Sequence, residues 1–487
     1  MPSWRDAKLP RGGAYQERAP WRGVVAASVL LLACASVILA GFLAGRFFER
    51  SRFPDVPILL GLGLLIGPVN RWAVERGFGL QELADGLSQS NLHAVAPLAT
   101  GLALVVLLFD SSMDLEFKAF GRNLGPAAAH TMPILLLTAA LVAAVAYLLG
   151  MPILLAAMLG VAMTNVDQAV SAGVLPRMRI GEGVRATYLL EMAFYDLLSI
   201  PLLVALVAVA GGGGAIGGIN PFVSLVSVSL ALGIGAGLTW VFALRSLHEH
   251  PHSYMLTFAA ILATYAASEL LGGSGALSIL LFGLLIGNRS WVMRRFGRRL
   301  LDDEHRKVHA FHDEITFFVR TFYFLFLGAS VALPSQARWP VVVPGLGDGG
   351  WVLIAASAGL LVAILAARYG PVLLAARRNP DKLALGPVFG RGLDTAVLCT
   401  LPFVAPGFIP GTPYHDVVAP WEPVFVNLAF AAILLTVLAS SILVYIREKR
   451  QGKAPVSEKS EKAGKSGARR PEGALVLPAR ARPPASK

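Results

Sequence analysis

Apolar runs of about 20 residues recur along this chain from Trp21 to Ile446. A helix of about 20 apolar residues is long enough to cross the hydrocarbon core of a bilayer. The sequence lacks the short segments of alternating apolar and polar residues that a membrane β-barrel needs. Only 15% of the residues are charged, and the mean hydropathy is +0.64. We therefore predict an all-α polytopic membrane protein, and we exclude a soluble enzyme.

The apolar runs predict thirteen membrane-spanning helices. Their approximate ranges are 24–45, 56–74, 95–113, 125–149, 153–175, 185–210, 221–244, 253–271, 273–288, 311–333, 351–376, 383–405 and 422–446. The first run has a charged leader and no small-residue cleavage site after it, so we expect it to remain as a helix. We predict a basic N-terminal leader at 1–22, a transmembrane domain at 23–447 and a disordered basic cytoplasmic tail at 448–487.

Basic residues are divided unequally between alternate predicted loops. One set of loops holds 19 Lys and Arg residues, whereas the other set holds only Arg71, Arg76 and Arg338. Because basic loops stay in the cytoplasm, we predict that the N-terminus lies outside and the C-terminus inside. The basic leader opposes this orientation, and we expect the internal loops to outweigh it. The excess positive charge lies next to the membrane, so we expect contact with membrane lipids and no nucleic-acid binding.

The sequence gives little indication of a redox or metal cofactor. Its two cysteines, Cys34 and Cys399, both lie in apolar segments. They form neither a disulfide framework nor a cysteine-based metal or iron–sulfur pattern. His93 and His130 likewise lack a convincing catalytic arrangement. We therefore expect no cofactor and no enzymatic activity.

Several charged residues fall inside the predicted spans. They are Arg320, Arg368, Arg391, Asp110, Asp167, Glu191, Asp196, Glu269 and Asp394. A charge at this depth is costly unless it is paired or faces a water-filled cavity, so each is a candidate functional residue. The alternative for any one of them is an ion pair that only fixes helix packing.

Glu191 and Asp196 are five residues apart, so a helix rotates them by about 140° relative to each other. They therefore point to different faces and serve different purposes. We predict that one carboxylate pairs with an arginine of another helix while the other faces a cavity and exchanges ligands. Asp196 is our candidate for the proton carrier.

Polar residues interrupt two apolar segments. Thr164, Asn165, Asp167 and Gln168 interrupt the first, and two glycines with Arg391 and Asp394 interrupt the second. Such interruptions at membrane depth are typical of broken helices, whose freed carbonyls and helix ends bind ions. Breaks at corresponding places in two halves indicate an inverted repeat. Close helix packing is the alternative explanation for Gly390 and Gly392.

Short motifs accompany these breaks. They are Phe-Pro-Asp-Val-Pro-Ile-Leu-Leu at 53–60, Leu-Leu-Phe-Asp at 107–110, Phe-Phe-Val-Arg-Thr-Phe at 317–322 and Arg-Gly-Leu at 391–393. Together with Asp167, Glu191 and Asp196, they resemble the sodium/hydrogen exchanger domain of the cation:proton antiporter superfamily, and more narrowly its bacterial and archaeal members with thirteen helices. The similarity covers about residues 50–447. Asp167 matches the Asp of the family's Thr-Asp-Pro signature, and Glu191 and Asp196 match the acids of its Gly-Glu-Ser-Leu-Leu-Asn-Asp signature.

This resemblance implies a secondary active transporter with inverted repeats and two broken, crossing helices. It would exchange a monovalent cation, Na⁺ or K⁺, for protons by alternating access, as a homodimer in a prokaryotic cell (inner) membrane. Asp196 would bind the cation and protons in turn, and Asp167 would shape the crossing. Asp110 would line the ion path, and Glu191 would pair with Arg368.

The sequence departs from the family pattern at Met192 and Tyr195, which stand where relatives have Ser and Asn. A thioether is a poor ligand for Na⁺ or K⁺, which prefer oxygen. The candidates to compensate or to support the helix breaks are Thr164, Asn165, Tyr195, Ser199, Arg320, Arg391 and Asp394. Two alternatives therefore stay open, a proton-coupled symporter of another substrate and a pH- or ion-sensing membrane protein without transport.

Overall fold

The computed structural model describes residues 35–47, 54–113, 117–167, 182–211, 219–247, 253–296, 303–333, 338–377, 383, 385–404 and 413–451. Its described part contains no β-strand, only an isolated bridge between Val343 and Gly347. The predicted all-α fold is therefore confirmed. The leader at 1–22, the start of the first predicted span, Gln168 and the tail after Gln451 lie outside the described residues.

The described helices are numbered in chain order. They are α1 Ala35–Phe47, α2 Asp55–Glu75, α3 Gln81–Gly86, α4 Gln89–Met113, α5 Phe117–Leu148, α6 Ile153–Ala162, α7 Glu182–Gly211, α8 Ile219–Leu247, α9 Ser253–Leu270, α10 Gly275–Gly287, α11 Arg289–Arg295, α12 Asp303–Ser330, α13 Gly350–Ala376, α14 Leu393–Val404, α15 Pro413–Val418 and α16 Glu422–Gln451. Inside α2, a π-helical stretch at Leu65–Val69 surrounds Pro68. Proline lacks the N–H group that an α-helix needs at that position, which accounts for the local change of winding.

Seven of the described helices are long and apolar enough to cross a membrane, or eight if α10 and α11 form one span bent by 71°. Shorter apolar helices of 10–17 residues occur at Ala35–Phe47, Ile153–Ala162, Met255–Leu270 and Leu393–Val404. Each of the thirteen predicted ranges contains a described helix, but several of these helices are too short or too polar to span alone. The count of thirteen therefore stays a prediction.

The chain divides into two units, Met1–Val444 and Tyr445–Lys487. The first unit contains the hydrophobic core and every candidate site residue. The described residues of the second unit, 445–451, form the last turns of α16. The predicted start of the tail at 448 stays a prediction.

Within the first unit, helices pack in two groups. In the first helix group, α4 packs against α10 and α12, α10 against α8 and α9, and α12 against α2. In the second helix group, α5 packs against α6, α7 and α13, and α14 packs against α6 and α7. The two groups meet where α14 packs against α4 and α12, and where α7 packs against α4, α8 and α10. The candidate site lies at this seam.

Candidate functional site

The first broken segment follows α6. The helix ends at Ala162, and residues 163–167 continue without regular structure although all of them are buried. The Thr164 hydroxyl donates to the Val161 carbonyl at 2.7 Å, which satisfies one of the carbonyl groups left free at a helix end. Buried backbone groups in a bilayer must find partners inside the protein. The remaining carbonyls of this segment therefore require donors from elsewhere.

Arg391, in the second broken segment, supplies those donors. Its Nη1 atom donates to the carbonyl oxygens of Thr164 at 2.9 Å and Asn165 at 2.7 Å. Its own backbone N–H donates to Thr436 Oγ1 on α16 at 3.0 Å. A guanidinium can donate several hydrogen bonds at once in a fixed plane, and its charge is favourable at the C-terminal end of a helix such as α6.

Asp167 in turn accepts a hydrogen bond from the N-terminus of α14. The backbone N–H of Leu393, the first residue of α14, donates to Asp167 Oδ2 at 2.9 Å. The backbone N–H of Asp167 donates to the Gly390 carbonyl at 3.0 Å. A carboxylate is favourable at a helix N-terminus for the same electrostatic reason that Arg391 is favourable at a C-terminus. Each broken segment thus supplies the charged group that completes the other.

Gly392 makes this contact possible. A Cβ atom at Gly392 would overlap the side chain of Asp167, including its carboxylate oxygen Oδ2. Close approach, rather than helix packing in general, is therefore the reason for a glycine at this position.

Asp196 lies on α7 and is only 3% exposed. Its Oδ1 accepts a hydrogen bond from Asn165 Nδ2 at 2.9 Å, so the first broken segment reaches the candidate carrier directly. Ser199, one turn further along α7, is fully buried, and its hydroxyl has no hydrogen-bond partner among the described residues. A buried hydroxyl without a partner beside a carboxylate offers an oxygen to a ligand.

Asp394, on the first turn of α14, is a second buried carboxylate at this place. Its Oδ1 has no hydrogen-bond partner in the described part of the chain. The charges of Asp196, Asp167 and Asp110 act on it, and that of Asp196 acts most strongly. Buried carboxylates whose charges act on one another attract a cation or a proton.

A metal cation at this site would need neutral ligands as well. No three acidic, His or Cys side chains of the described residues are close enough to hold a metal ion together. Ser199 Oγ is one neutral donor without a hydrogen-bond partner among the described residues, whereas the carbonyl oxygens of Thr164, Asn165 and Gly390 already accept hydrogen bonds. Unwound backbone carbonyls are nevertheless typical ligands at the ion sites of discontinuous helices.

A separate polar network surrounds Glu191, on the other face of α7. Arg368 of α13 forms an ion pair with Glu191 Oε1 and also donates from Nη2 to the Leu385 carbonyl at 2.9 Å. The Tyr195 hydroxyl donates to the same Glu191 oxygen at 2.6 Å. His130 Nε2 of α5 lies 3.8 Å from Glu191 Oε2. The network joins α5, α7 and α13 within the second helix group.

Two residues expected to support the ion site or the helix breaks have other partners. The Tyr195 hydroxyl points to Glu191, so it does not offer a ligand beside Asp196. Arg320 of α12 pairs with Asp55 of α2, inside the first helix group. None of its hydrogen bonds with described residues reaches a broken segment. Helix periodicity allows the contact of Tyr195 with Glu191, since the two residues are four apart on α7. It could not reveal the partner of Arg320, which lies on another helix.

Three residues of this region were not among the site residues predicted from the sequence. Thr436 accepts the Arg391 N–H, Thr395 Oγ1 lies 3.5 Å from the Asn165 carbonyl, and His130 adjoins Glu191. His130 carried the only available indication, since an ionisable residue within an apolar helix is a candidate functional residue. Threonines are common in membrane helices and give no such indication.

Two broken segments that meet beside buried carboxylates in a helical membrane protein are the arrangement typical of the ion sites of secondary transporters. Residues 34–446 match the family described as sodium/hydrogen exchanger, transmembrane. The chain is therefore a member of the sodium/hydrogen exchanger family.

Curated relatives are antiporters. The chain is 25% identical over 423 residues to the K(+)/H(+) antiporter NhaP of Alkalimonas amylolytica, a match that covers 85% of this chain and 65% of that protein. It is 27% identical over 416 residues to the K(+)/H(+) antiporter NhaP2 of Shewanella sp. strain MR-4, covering 84% and 63%. It is also 24% identical over 348 residues to a probable Na(+)/H(+) antiporter 2 of Methanocaldococcus jannaschii, covering 69% and 77%. The chain thus spans less than two thirds of the length of the first two.

Solved structures with the same fold include the sodium proton antiporter MjNhaP1 from Methanocaldococcus jannaschii at pH 8. The TM-score is 0.64 at 19% sequence identity, and the match covers 86% of this chain and 98% of that chain. At this identity the similarity establishes the fold.

Proposed function

We propose that this protein exchanges a monovalent cation, Na⁺ or K⁺, for protons across the membrane, with Asp196 as the shared site. The observation that carries the proposal is the buried Asp394 carboxylate, whose Oδ1 has no hydrogen-bond partner among the described residues although the charge of Asp196 acts on it. Two buried carboxyl groups whose charges act on each other attract a neutralising ligand, and a cation or a proton can serve. The antiporter relatives, some of K⁺ and some of Na⁺, support both ions.

Competition for one site couples the movement of the cation to the movement of protons. A proton on Asp196 removes the charge that attracts a cation, and a bound cation disfavours the proton. Asn165 holds the carboxylate through its amide, and Ser199 Oγ is the nearest hydroxyl along the same helix face. Asp394 places a second buried carboxyl group at the site, where the charge of Asp196 acts on it.

Movement of one helix group against the other gives alternating access. The second helix group carries Asp196, Asp394 and both broken segments, and the reciprocal Arg391 and Asp167 contacts hold these parts together. Among the described acids whose charge acts on Asp394, Asp110 of α4 is the one in the first helix group. We propose that the second group moves as a body and carries the bound ion past α4. The homodimer expected from the family resemblance stays a prediction.

Purified protein in liposomes with a trapped pH dye tests the proposal. A pH gradient is imposed, and Na⁺, K⁺ or Li⁺ is added in turn. We expect cation-dependent dissipation of the gradient by the unaltered protein and its loss in Asp196→Asn. The matched control is Glu269→Gln, since Glu269 is a partly buried acid of α9 whose carboxylate accepts from the Gly275 N–H and lies outside the broken segments.

The outcomes separate the proposal from its alternatives. Equal dissipation in Asp196→Asn and the unaltered protein would show that Asp196 is not the carrier. No response to any cation between pH 6 and 9, in a folded sample, would contradict exchange and favour the sensing protein. A response that requires an organic solute would favour the symporter.

A further inference from the structure

A cavity of about 450 Å³ lies at the seam between the two helix groups. Its walls include Leu92 of α4, Phe326 and Leu327 of α12, Phe403 of α14 and Val426 of α16. It lies at the end of α4 that begins at Gln89, which the charge distribution predicts to face outside. Asp196, Asp394 and Asp167 do not line this cavity.

Three buried hydroxyls close the inner end of the cavity. Thr400 of α14 lines it and lies 2.9 Å from the hydroxyl of Tyr323 on α12 and 3.2 Å from that of Thr100 on α4. The Thr100 and Tyr323 hydroxyls are 3.4 Å apart. All three residues are buried. This hydroxyl cluster therefore links α14 of the second helix group to two helices of the first.

The hydroxyl cluster lies between the cavity and the carboxylates. On α14, Asp394 precedes Thr400 by six residues, which is about 9 Å along a helix axis. On α4, Asp110 follows Thr100 by ten residues, or about 15 Å. The two helices run in opposite directions, so both acids lie on the same side of the cluster. The cavity lies on the other side, where Phe403 and Leu92 line it.

A second polar contact, between α4 and α16, lies at the rim of the cavity. His93 Nδ1 of α4 lies 3.1 Å from Glu422 Oε1 at the start of α16. Both residues line the cavity. The seam is therefore held by polar contacts at its rim and at its floor, with apolar walls between them.

We propose that this cavity is the outer half of the ion path and that the hydroxyl cluster is the barrier that closes it. The proposal rests on the proposed exchange by alternating access. Opening the path requires α14 to move away from α4 and α12, which breaks the Thr400 contacts with Thr100 and Tyr323. Hydrogen bonds across a moving seam favour the state in which they are made, so their loss shifts the population toward the open state.

Accessibility of a residue below the barrier tests the proposal. Ala396 lies one turn before Thr400 on the same face of α14 and is fully buried. Ala396→Cys is placed in a background of Cys34→Ala and Cys399→Ala, and intact cells are treated with a membrane-impermeant thiol reagent. We expect Thr400→Val or Tyr323→Phe to raise the labelling rate about three- to ten-fold, as the loss of one net hydrogen bond predicts.

The matched control is Thr138→Val. Thr138 is a buried threonine of α5 whose hydroxyl donates only to the Ile134 carbonyl of its own helix, at 2.7 Å. Its replacement is expected to leave the labelling rate unchanged. If Ala396→Cys does not fold, the native Cys399, which is buried and close to Tyr323, serves as the reporter in Cys34→Ala alone.

Unchanged labelling in folded Thr400→Val and Tyr323→Phe would overturn the barrier. Equal acceleration in Thr138→Val would also overturn it, because the effect would then not depend on the seam. Labelling reports the accessibility of a cysteine and not ion movement, so the result is independent of the liposome assay. Faster labelling with no cation exchange would leave the barrier standing and contradict the proposed function.

Discussion

Asn165 Nδ2 donates a hydrogen bond of 2.9 Å to Asp196 Oδ1, and the carbonyl of the same Asn165 accepts one of 2.7 Å from Arg391 Nη1. One residue thus connects the carboxylate on α7 to both broken segments. The position of Asp196 therefore depends on the crossing of the segments. A change at the crossing is expected to alter ion binding even when Asp196 itself is intact.

The first prediction concerns Asn165→Ala, which removes the amide that holds Asp196. Hydrogen bonds to charged groups contribute about 1.5–3 kcal/mol, so we expect the KM for the transported cation to rise at least about ten-fold. The measurement is the cation dependence of exchange in liposomes. Asn288→Ala is the control, because the Asn288 amide donates to the Leu284 carbonyl of its own chain segment. An unaltered KM in Asn165→Ala would contradict the role given to this hydrogen bond.

The second prediction concerns Tyr195→Phe. The lost hydroxyl bonds Glu191, not Asp196, so we expect lower thermal stability, by about 1–3 kcal/mol, with little change in the KM for the cation. Thermal unfolding in detergent and the liposome assay measure the two effects. A several-fold rise in KM at unchanged stability would show instead that the hydroxyl acts at the ion site.

The third prediction concerns the Glu191–Arg368 pair, whose side chains are at most 2% exposed. Arg368→Ala leaves a buried carboxylate without its main partner, and breaking a buried pair costs about 3–5 kcal/mol. We expect strong loss of thermal stability in this variant. The double variant Glu191→Gln with Arg368→Met removes both charges, so we expect it to recover part of the lost thermal stability. A double variant no more stable than Arg368→Ala would argue against an electrostatic cause.

The fourth prediction concerns Gly392→Ala. The added methyl group would overlap the Asp167 carboxylate, so the hydrogen bond from Leu393 N–H to Asp167 is expected to break. We expect loss of exchange and a stability cost of about 1–3 kcal/mol for the freed buried groups. Gly235→Ala is the control, since a Cβ at that position of α8 meets no atom within 4 Å. Full cation–proton exchange by Gly392→Ala would show that the crossing of the broken segments tolerates a displaced Asp167 carboxylate.

Local pattern accounts for much of what could be predicted. The apolar runs predicted the helices, because whether a run is long enough to span the bilayer depends only on its own length and on the bilayer thickness. Polar residues at 164–168 predicted the end of α6, which occurs at Ala162. The five-residue spacing of Glu191 and Asp196 predicted separate environments, and their hydrogen-bond partners differ accordingly.

Contacts between distant helices could not be predicted in this way. The nearness of Asp394 to Asp196, the pairing of Arg320 with Asp55 and the hydroxyl cluster at Thr400 all belong to this class. They depend on how far each helix is rotated and shifted along its axis relative to its neighbours. The sequence of a helix that is apolar on most faces determines that it inserts in the membrane. Its rotation and its position along the membrane normal depend on tight packing with other helices. The packing of Gly63 on α2 against the backbone of α12 is an example.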